Sequence, residues 1–406
     1  MPRLRKETGE QRRALLLVAL AAALANASWF SATAVVPALE HDWHLTSAGA
    51  AWLVIVVQVG FVIGSVGAAL LNLPDRAEPR WLIAGSAVAA GATNLGLLLA
   101  SGLTVALPVR FGVGVALAGV YAPAVRLVAT YFERGRGVAT GVVVGALTLG
   151  SGTPHLVRGL GDVPWQATIA VTSALALLAA LSVLTVRNGP AAVASPPLDV
   201  SAALRALGRH QPLRLATLGY LGHMWELYAL WSWLAAFFIA AREAHRPGMA
   251  ETGTVAFLAI GVAGLLGAVA AGRLADRLGR TAITSGAMLI SAGCCLASPL
   301  AFGAAPPLLV ALLLIWGASV IADSAQFSAA VTELAEPRYA GSVLALQLAL
   351  GFTLTIVSIR LVPVVVDVVG WRYALLPLAA GPLLGTVAML RLRRLPTALG
   401  LANGRR

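Results

Sequence analysis

Twelve apolar runs divide this chain, and they constrain its fold more than any other feature. They fall at 14–37, 51–71, 81–101, 103–125, 137–157, 166–186, 213–240, 252–272, 281–303, 307–331, 341–362 and 372–390. Crossing the hydrocarbon of a bilayer takes about 20 helical residues, which is the length of each run. The runs are rich in Ala, Leu, Val and Gly and are apolar all round, as in helices that face lipid or the inside of a bundle. Of the 406 residues only 11% are charged, against about 25% in a soluble domain. So few charges cannot cover a surface in water. A soluble enzyme, a disordered chain and a disulfide scaffold are thereby excluded. The expected fold class is an all-α integral membrane protein with twelve spans.

The first run follows Arg3, Arg5, Lys6, Arg12 and Arg13, and Ala25-Asn26-Ala27 resembles a signal-peptidase site. It continues through Trp29, Phe30 and Val36 to Leu39, so it reads as a span and not a cleaved leader. Lys+Arg is 29 against 17 Asp+Glu, a net charge of +12. The arginines sit in short loops, away from any amphipathic face with interleaved aromatics, so they orient a membrane protein and do not bind nucleic acid. Arg76, Arg80, Arg134, Arg187, Arg205, Arg209, Arg214, Arg273, Arg277, Arg280, Arg338 and Arg391 fall on the side of the N-terminus. Only Arg158, Arg242, Arg246 and Arg372 fall on the other. Both termini are expected in the cytoplasm, with the chain in an inner membrane. The two cysteines, Cys294 and Cys295, are adjacent within an apolar run and read as packing residues.

The segment 188–212 differs in composition, with Asn188-Gly189-Pro190 and Ser195-Pro196-Pro197. It reads as a cytoplasmic linker with a short interfacial helix. It separates six spans in 1–187 from six in 213–394, leaving a tail at 395–406. The halves echo each other. Residues 272–280 read GRLADRLGR after span eight, and Asp75, Arg76 and Arg80 follow span two. Pro164-Trp165-Gln166 opens span six, as Gly370-Trp371-Arg372 opens span twelve. Paired halves suit a transporter with its site between two pseudo-symmetric bundles.

With these residues in view, the chain resembles the major facilitator superfamily of secondary transporters. The resemblance runs from the first span to about Arg394. Its most specific part is 272–280, which matches the family's G-x-L-a-D-r-x-G-r loop. The first-half copy keeps Asp75, Arg76 and Arg80 but has Asn72, Pro74 and Glu78 in place of flanking glycines. Arg110-Phe111-Gly112-Val113-Gly114 resembles the fourth-span motif, and 132–137 resembles the loop between spans four and five. Neither 51–71 nor 252–271 holds the arginine of nitrate and nitrite carriers. The fifth span reads Gly150-Ser151-Gly152-Thr153-Pro154 where drug/proton antiporters have Gly-Pro-x-x-Gly-Gly. No cargo is carried over. The resemblance implies two six-helix bundles working by alternating access.

Asp276 can accept from a neighbouring helix N-terminus or pair with an arginine, and Gly272 allows close helix approach. Arg273, Arg277 and Arg280 can reach Glu333 or Glu336. These residues, with Asp75 and Arg76, are the expected gate. Ionisable groups inside spans cost roughly 2.5–3.5 kcal/mol at a helix centre and mark function. Arg110 is expected as a substrate anchor or a partner of Glu226, or else as bonded to carbonyls of a broken helix. His223, Glu226 and Leu230 share one face of span seven. They are expected to line the cavity with Trp225 and Tyr228, Glu226 carrying the proton and His223 tuning it. Asp323, with Gln326 nearby, is expected to line the cavity or to pair with an arginine and close it. Asn26, Trp29, Gln58 and Gln347 are weaker candidates.

No phosphate loop, metal-ligand spacing or catalytic constellation occurs, so no enzyme activity and no cofactor is expected. The expected function is a monomeric, proton-coupled secondary transporter of a small polar or anionic organic solute. The alternative is a proton-driven efflux pump for an amphipathic compound.

Overall fold

The structure, a computed structural model, describes residues 9–71, 73–132, 136–161, 163–190, 198–242, 249–336 and 338–405. Arg3, Arg5, Lys6, Asn72, Arg134, the 191–197 part of the linker and Arg246 lie outside it, as do the side chains of Pro74, Asp75 and Arg136.

The first run, expected as one continuous span, is a broken helix. α1 (Gly9–Asn26) stops, a turn and the 3-10 segment Thr33–Val35 intervene, and α2 (Val36–Trp43) completes the run. Next come α3 (Ser47–Leu70), the short α4 (Leu73–Arg76), α5 (Pro79–Leu95), α6 (Leu103–Ala129), α7 (Arg136–Arg158) and α8 (Trp165–Val183). In the linker, α9 (Val200–Arg209) is capped by Asp199, whose Oδ1 accepts from Ala202 N at 2.8 Å. α10 (Gln211–Ala241) follows. α11 (Met249–Ala256) runs through a π-helical stretch, Phe257–Ala263, into α12 (Gly264–Leu278). Gly279, at φ 96°, makes the tight turn into α13 (Arg280–Ala301), a conformation that only glycine adopts cheaply. The tenth run is also interrupted, with α14 (Pro306–Ala322) and α15 (Ser324–Leu334) meeting at Asp323. α16 (Ala340–Val369), α17 (Ala380–Arg394) and the 3-10 segment Pro396–Asn403 end the chain.

Among the described residues ten helical stretches are long and apolar enough to cross a membrane. α1 and α7 are not among them. α1 carries Glu10, Arg12 and Arg13 in its first turns, and α7 carries the small and polar residues 150–155. Both nevertheless pack into the bundle.

α1, α3, α5, α6 and α8 form one packed set, and α10, α13, α14, α16 and α17 form another. α3 against α16 makes one seam between them. The other is α7, which holds to α1 on one side and to α11, the π stretch and α12 on the other. Backbones touch along it: a Cβ on Gly141 would stand 2.9 Å from Ala268 O.

One face of the bundle gathers both chain ends and α9. There Gln11 donates to Tyr131 O at 2.7 Å, Tyr131 donates to Arg187 O at 2.8 Å, and Arg393 donates to Thr281 Oγ1 at 3.3 Å. On the opposite face Trp165 Nε1 donates to Asp42 Oδ2 at 3.0 Å, tying α2 to α8.

Candidate functional site

A cavity of about 60 Å³ lies between the two sets of helices. That is room for a few waters. α10 faces it with Tyr220, Met224, Leu227, Tyr228 and Trp231, at the spacing of one helical stripe. Asn26, Trp29, Phe61, Tyr121, Leu147, Ser151, Ile321, Ser324, Leu348 and Phe352 complete most of the wall. No charged side chain lines it among the described residues. Asn26 Nδ2 donates to Ser151 Oγ at 2.7 Å and to Leu147 O at 3.0 Å, so it also joins α1 to α7.

Rings from both sets interlock beside this cavity. Phe61 meets Phe352 at 4.4 Å between centroids, and Trp29 meets Tyr228 at 5.7 Å and Phe352 at 5.8 Å. Phe30 stacks on Tyr228 at 6.1 Å and meets Trp231 edge-on at 5.8 Å. Five ring pairs therefore bridge the two sets, each worth about 0.5–1.5 kcal/mol beyond its area. The indole N–H groups of Trp29 and Trp231 have no hydrogen-bond partner among the described residues. The sequence reading missed Phe30, Phe61, Tyr121, Trp231 and Phe352. Apolar rings in apolar spans carry no local signal, although Tyr228 and Trp231 stand one turn apart.

The stripe His223–Glu226–Leu230 does not line this cavity. It points into the second set. Glu226, 1% exposed, accepts at Oε1 from Ser291 at 2.6 Å, from Cys295 Sγ at 3.2 Å and from Trp316 Nε1. His223 Nδ1 stands 2.8 Å from Asp323 Oδ1, both groups being buried. Asp323 thus pairs with a histidine, and Gln326 is the residue that meets an arginine. Trp225 faces a third way. Its Nε1 donates to Pro377 O at 3.2 Å, and its ring borders an apolar groove between α10 and α17.

Arg110 is fully buried in the first set and does not meet Glu226. Its Nη1 donates to Ser28 O at 2.9 Å and Ser31 Oγ at 3.1 Å, and its Nε donates to Leu53 O at 3.4 Å. Nη2 donates to Trp29 O. Asn94 Oδ1 accepts from the same Nη1 at 3.4 Å. The guanidinium therefore holds the turn that breaks the first run, through the carbonyls of Ser28 and Trp29, and ties it to α3 through Leu53 O. This is the carbonyl-binding alternative, and it leaves little donor capacity for a ligand.

On the face with the chain ends, Arg280 forks onto Glu333 at 2.7 Å and 2.5 Å and donates to Gln326 Oε1 at 2.7 Å. Gln326 N donates to Asp323 O at 2.9 Å. Polar groups thus follow one another from the partly exposed Glu333 inward to the His223–Asp323 pair. Asp276 lies against the start of α7, where a Cβ on Gly137 would be 2.6 Å from its Oδ1, and Gly272 lies against Gly137 O. The tail folds back here. Ala402 N donates to Glu333 Oε2 at 3.1 Å, and Arg405 donates to Asp276 O. Arg76 and Arg277 are exposed. The Asp75 side chain is outside the described residues. Gln58 and Gln347 are fully buried, one on each side of the α3–α16 seam, with both amide atoms unpartnered among the described residues.

A family model described as the Major Facilitator Superfamily matches residues 18–359, most of the chain. The curated proteins contain no match.

Proposed function

This chain belongs to the major facilitator superfamily of secondary transporters, and on that premise we propose that it moves an amphipathic, aromatic-binding compound across the inner membrane, coupled to protons. Members of this superfamily are typically transporters, not enzymes. The carrying observation is the lining of the central cavity: stacked rings and, among the described residues, two unpartnered indole donors and no charged side chain. The first expectation is a small polar or anionic solute; an anionic one would find no basic group there among the described residues, because Arg110 is occupied by carbonyls. An aromatic amphipath finds ring faces and donors.

The reading takes the chain as twelve crossings in two pseudo-symmetric bundles, with α1–α2 and α7 counted as the first and fifth. The bundles are 1–187 and 213–394, joined by the linker 188–212 and followed by the tail 395–406. Both ends face the cytoplasm, which makes the face with α9 the inner one. The protein works as a monomer by alternating access, opening the ring-lined seam to one side and then the other. The Arg280–Glu333–Gln326 contacts and Asp276 at α7 form the inner latch. Protons are carried by Glu226 and the His223–Asp323 pair. Ionisable groups this deep mark proton paths, and the polar series from Glu333 supplies a route to them.

Reconstituted protein under an imposed pH gradient tests this with a fluorescent aromatic quaternary ammonium dye, which has no neutral form to redistribute by itself. Wild type should move the dye with the gradient. Glu226→Gln should abolish that movement while the dye still quenches tryptophan fluorescence. Gradient-driven movement in the variant would pass the proton role to Asp323. Movement of a small anionic solute in place of the dye would overturn the cargo.

A further inference from the structure

A second cavity lies apart from the ring-lined one, at the face that carries the chain ends. It encloses about 300 Å³ between α9 and the turn from α15 to α16. Arg205, Arg209 and His210 come from α9 and Arg338 from the turn, with Asp199 and Glu336 as the acidic groups of its wall. The acids are already engaged. Asp199 caps α9 through Ala202 N and Ser201 Oγ, at 2.8 Å and 2.7 Å, and Glu336 pairs with Arg338 at 2.8 Å. Among the described residues, Arg205 and Arg209 have no carboxylate in ion-pair contact. They stand four residues apart, so one helix turn sets both guanidinium groups over the same cavity. Two such forks, each with planar paired donors, match the oxygens of a phosphate.

The helix that carries them has a second property. Ala203 and Ala206 are buried, yet Val200 is 44% and Leu204 57% exposed. A helix with an exposed apolar stripe beside a basic one lies in the plane of a membrane surface, at the depth of lipid phosphates.

We propose that this pocket binds a phosphate-bearing anion, held by Arg205 and Arg209 with Arg338 at the rim. The site is independent of the transported compound and of the direction of transport. A basic side chain near anionic lipid contributes about 1 kcal/mol. Removing two should therefore weaken binding about 30-fold.

The test uses the full chain in nanodiscs of a zwitterionic lipid, probed with phosphatidylglycerol doped into the disc and, separately, with soluble glycerol phosphate. Native mass spectrometry and titration read the occupancy. R205Q/R209Q should lose about 30-fold in affinity. R13Q/R394Q, which removes the same charge from exposed arginines of the same face, should stay within about threefold. Retention of phosphatidylglycerol alone identifies a lipid headgroup as the occupant, and binding of glycerol phosphate identifies a soluble one. Equal losses in the two double variants, or binding of neither probe, would overturn the site.

Discussion

Phe352 is the ring whose loss should most directly loosen the closed seam. It belongs to α16 and touches two rings of the first set, Phe61 at 4.4 Å and Trp29 at 5.8 Å. Its third neighbour, Tyr228 at 5.2 Å, belongs to its own set and moves with it. Phe352→Leu keeps the apolar character and deletes the ring. At about 0.5–1.5 kcal/mol per pair, two bridging pairs account for about 1–3 kcal/mol. That shifts the balance between closed and separated seams by a factor of about 5–150. Spin labels on the exposed residues Ser101 and Val368, one on each set, read the separation by electron–electron resonance on a background with both cysteines changed to serine. A longer distance should become populated in Phe352→Leu. Phe302→Leu, which removes a ring paired with Phe237 of the same set at 5.6 Å, should leave the distribution as it is. An unchanged distribution in Phe352→Leu, or equal broadening in both variants, would refute ring-pair closure.

Arg110→Met removes the guanidinium donors to the carbonyls of Ser28, Trp29 and Leu53. Ser28 O keeps the Ser31 hydroxyl and Leu53 O its place in the α3 ladder, so the loss falls mainly at Trp29 O, at about 1–3 kcal/mol, and thermal melting of the purified protein should fall measurably. Arg110→Lys should restore only part, because an ammonium cannot copy the fork, and a wild-type melt for either variant contradicts the role of Arg110 at the turn. Glu333→Ala removes the acceptor shared by Arg280 and the tail; at about 1.5–3 kcal/mol for a charged hydrogen bond, trypsin should cut after Arg394 at least about tenfold faster, and an unchanged rate argues that the tail is held elsewhere. Asp199 is held below the usual carboxylate range by the Ala202 N–H and the Ser201 hydroxyl. Its cap therefore stabilises α9 fully above about pH 4 and is lost as pH falls from there through the lowered value. Hydrogen exchange over 200–209 should speed up in that window in wild type and show no such step in Asp199→Ala. Reporter fusions after Glu40, Arg80 and Val200 should read outside, inside and inside, and an outside reading after Val200 reverses the orientation.

The apolar runs were legible because a bilayer leaves no other way to pair a backbone. The breaks inside them were not. α1 stops at Asn26 with no proline or glycine to mark the place, and its partner, Arg110, is 84 positions away in sequence. Span seven shows the same limit differently. Spacing groups His223 with Glu226, and Tyr220 with Met224 and Tyr228, but α10 has neighbours on every side. Which stripe meets the cavity depends on Ser291, Cys295 and Trp316, donors contributed by α13 and α14. Periodicity names faces, and only the packed neighbours decide what each face touches. The GRLADRLGR segment was legible for the opposite reason: its glycines and charges are set by a turn and a helix end within nine residues.

The side chains that line the central cavity and the donors that hold Glu226 have no member in common. Leu348 or Phe61 can be exchanged without removing a donor from Ser291, Cys295 or Trp316. If the cavity holds the cargo as proposed, selection for a new cargo explores one group of positions while the other is inherited intact. On the proposed roles, a lineage built on this scaffold is free to diversify what it carries faster than what powers it.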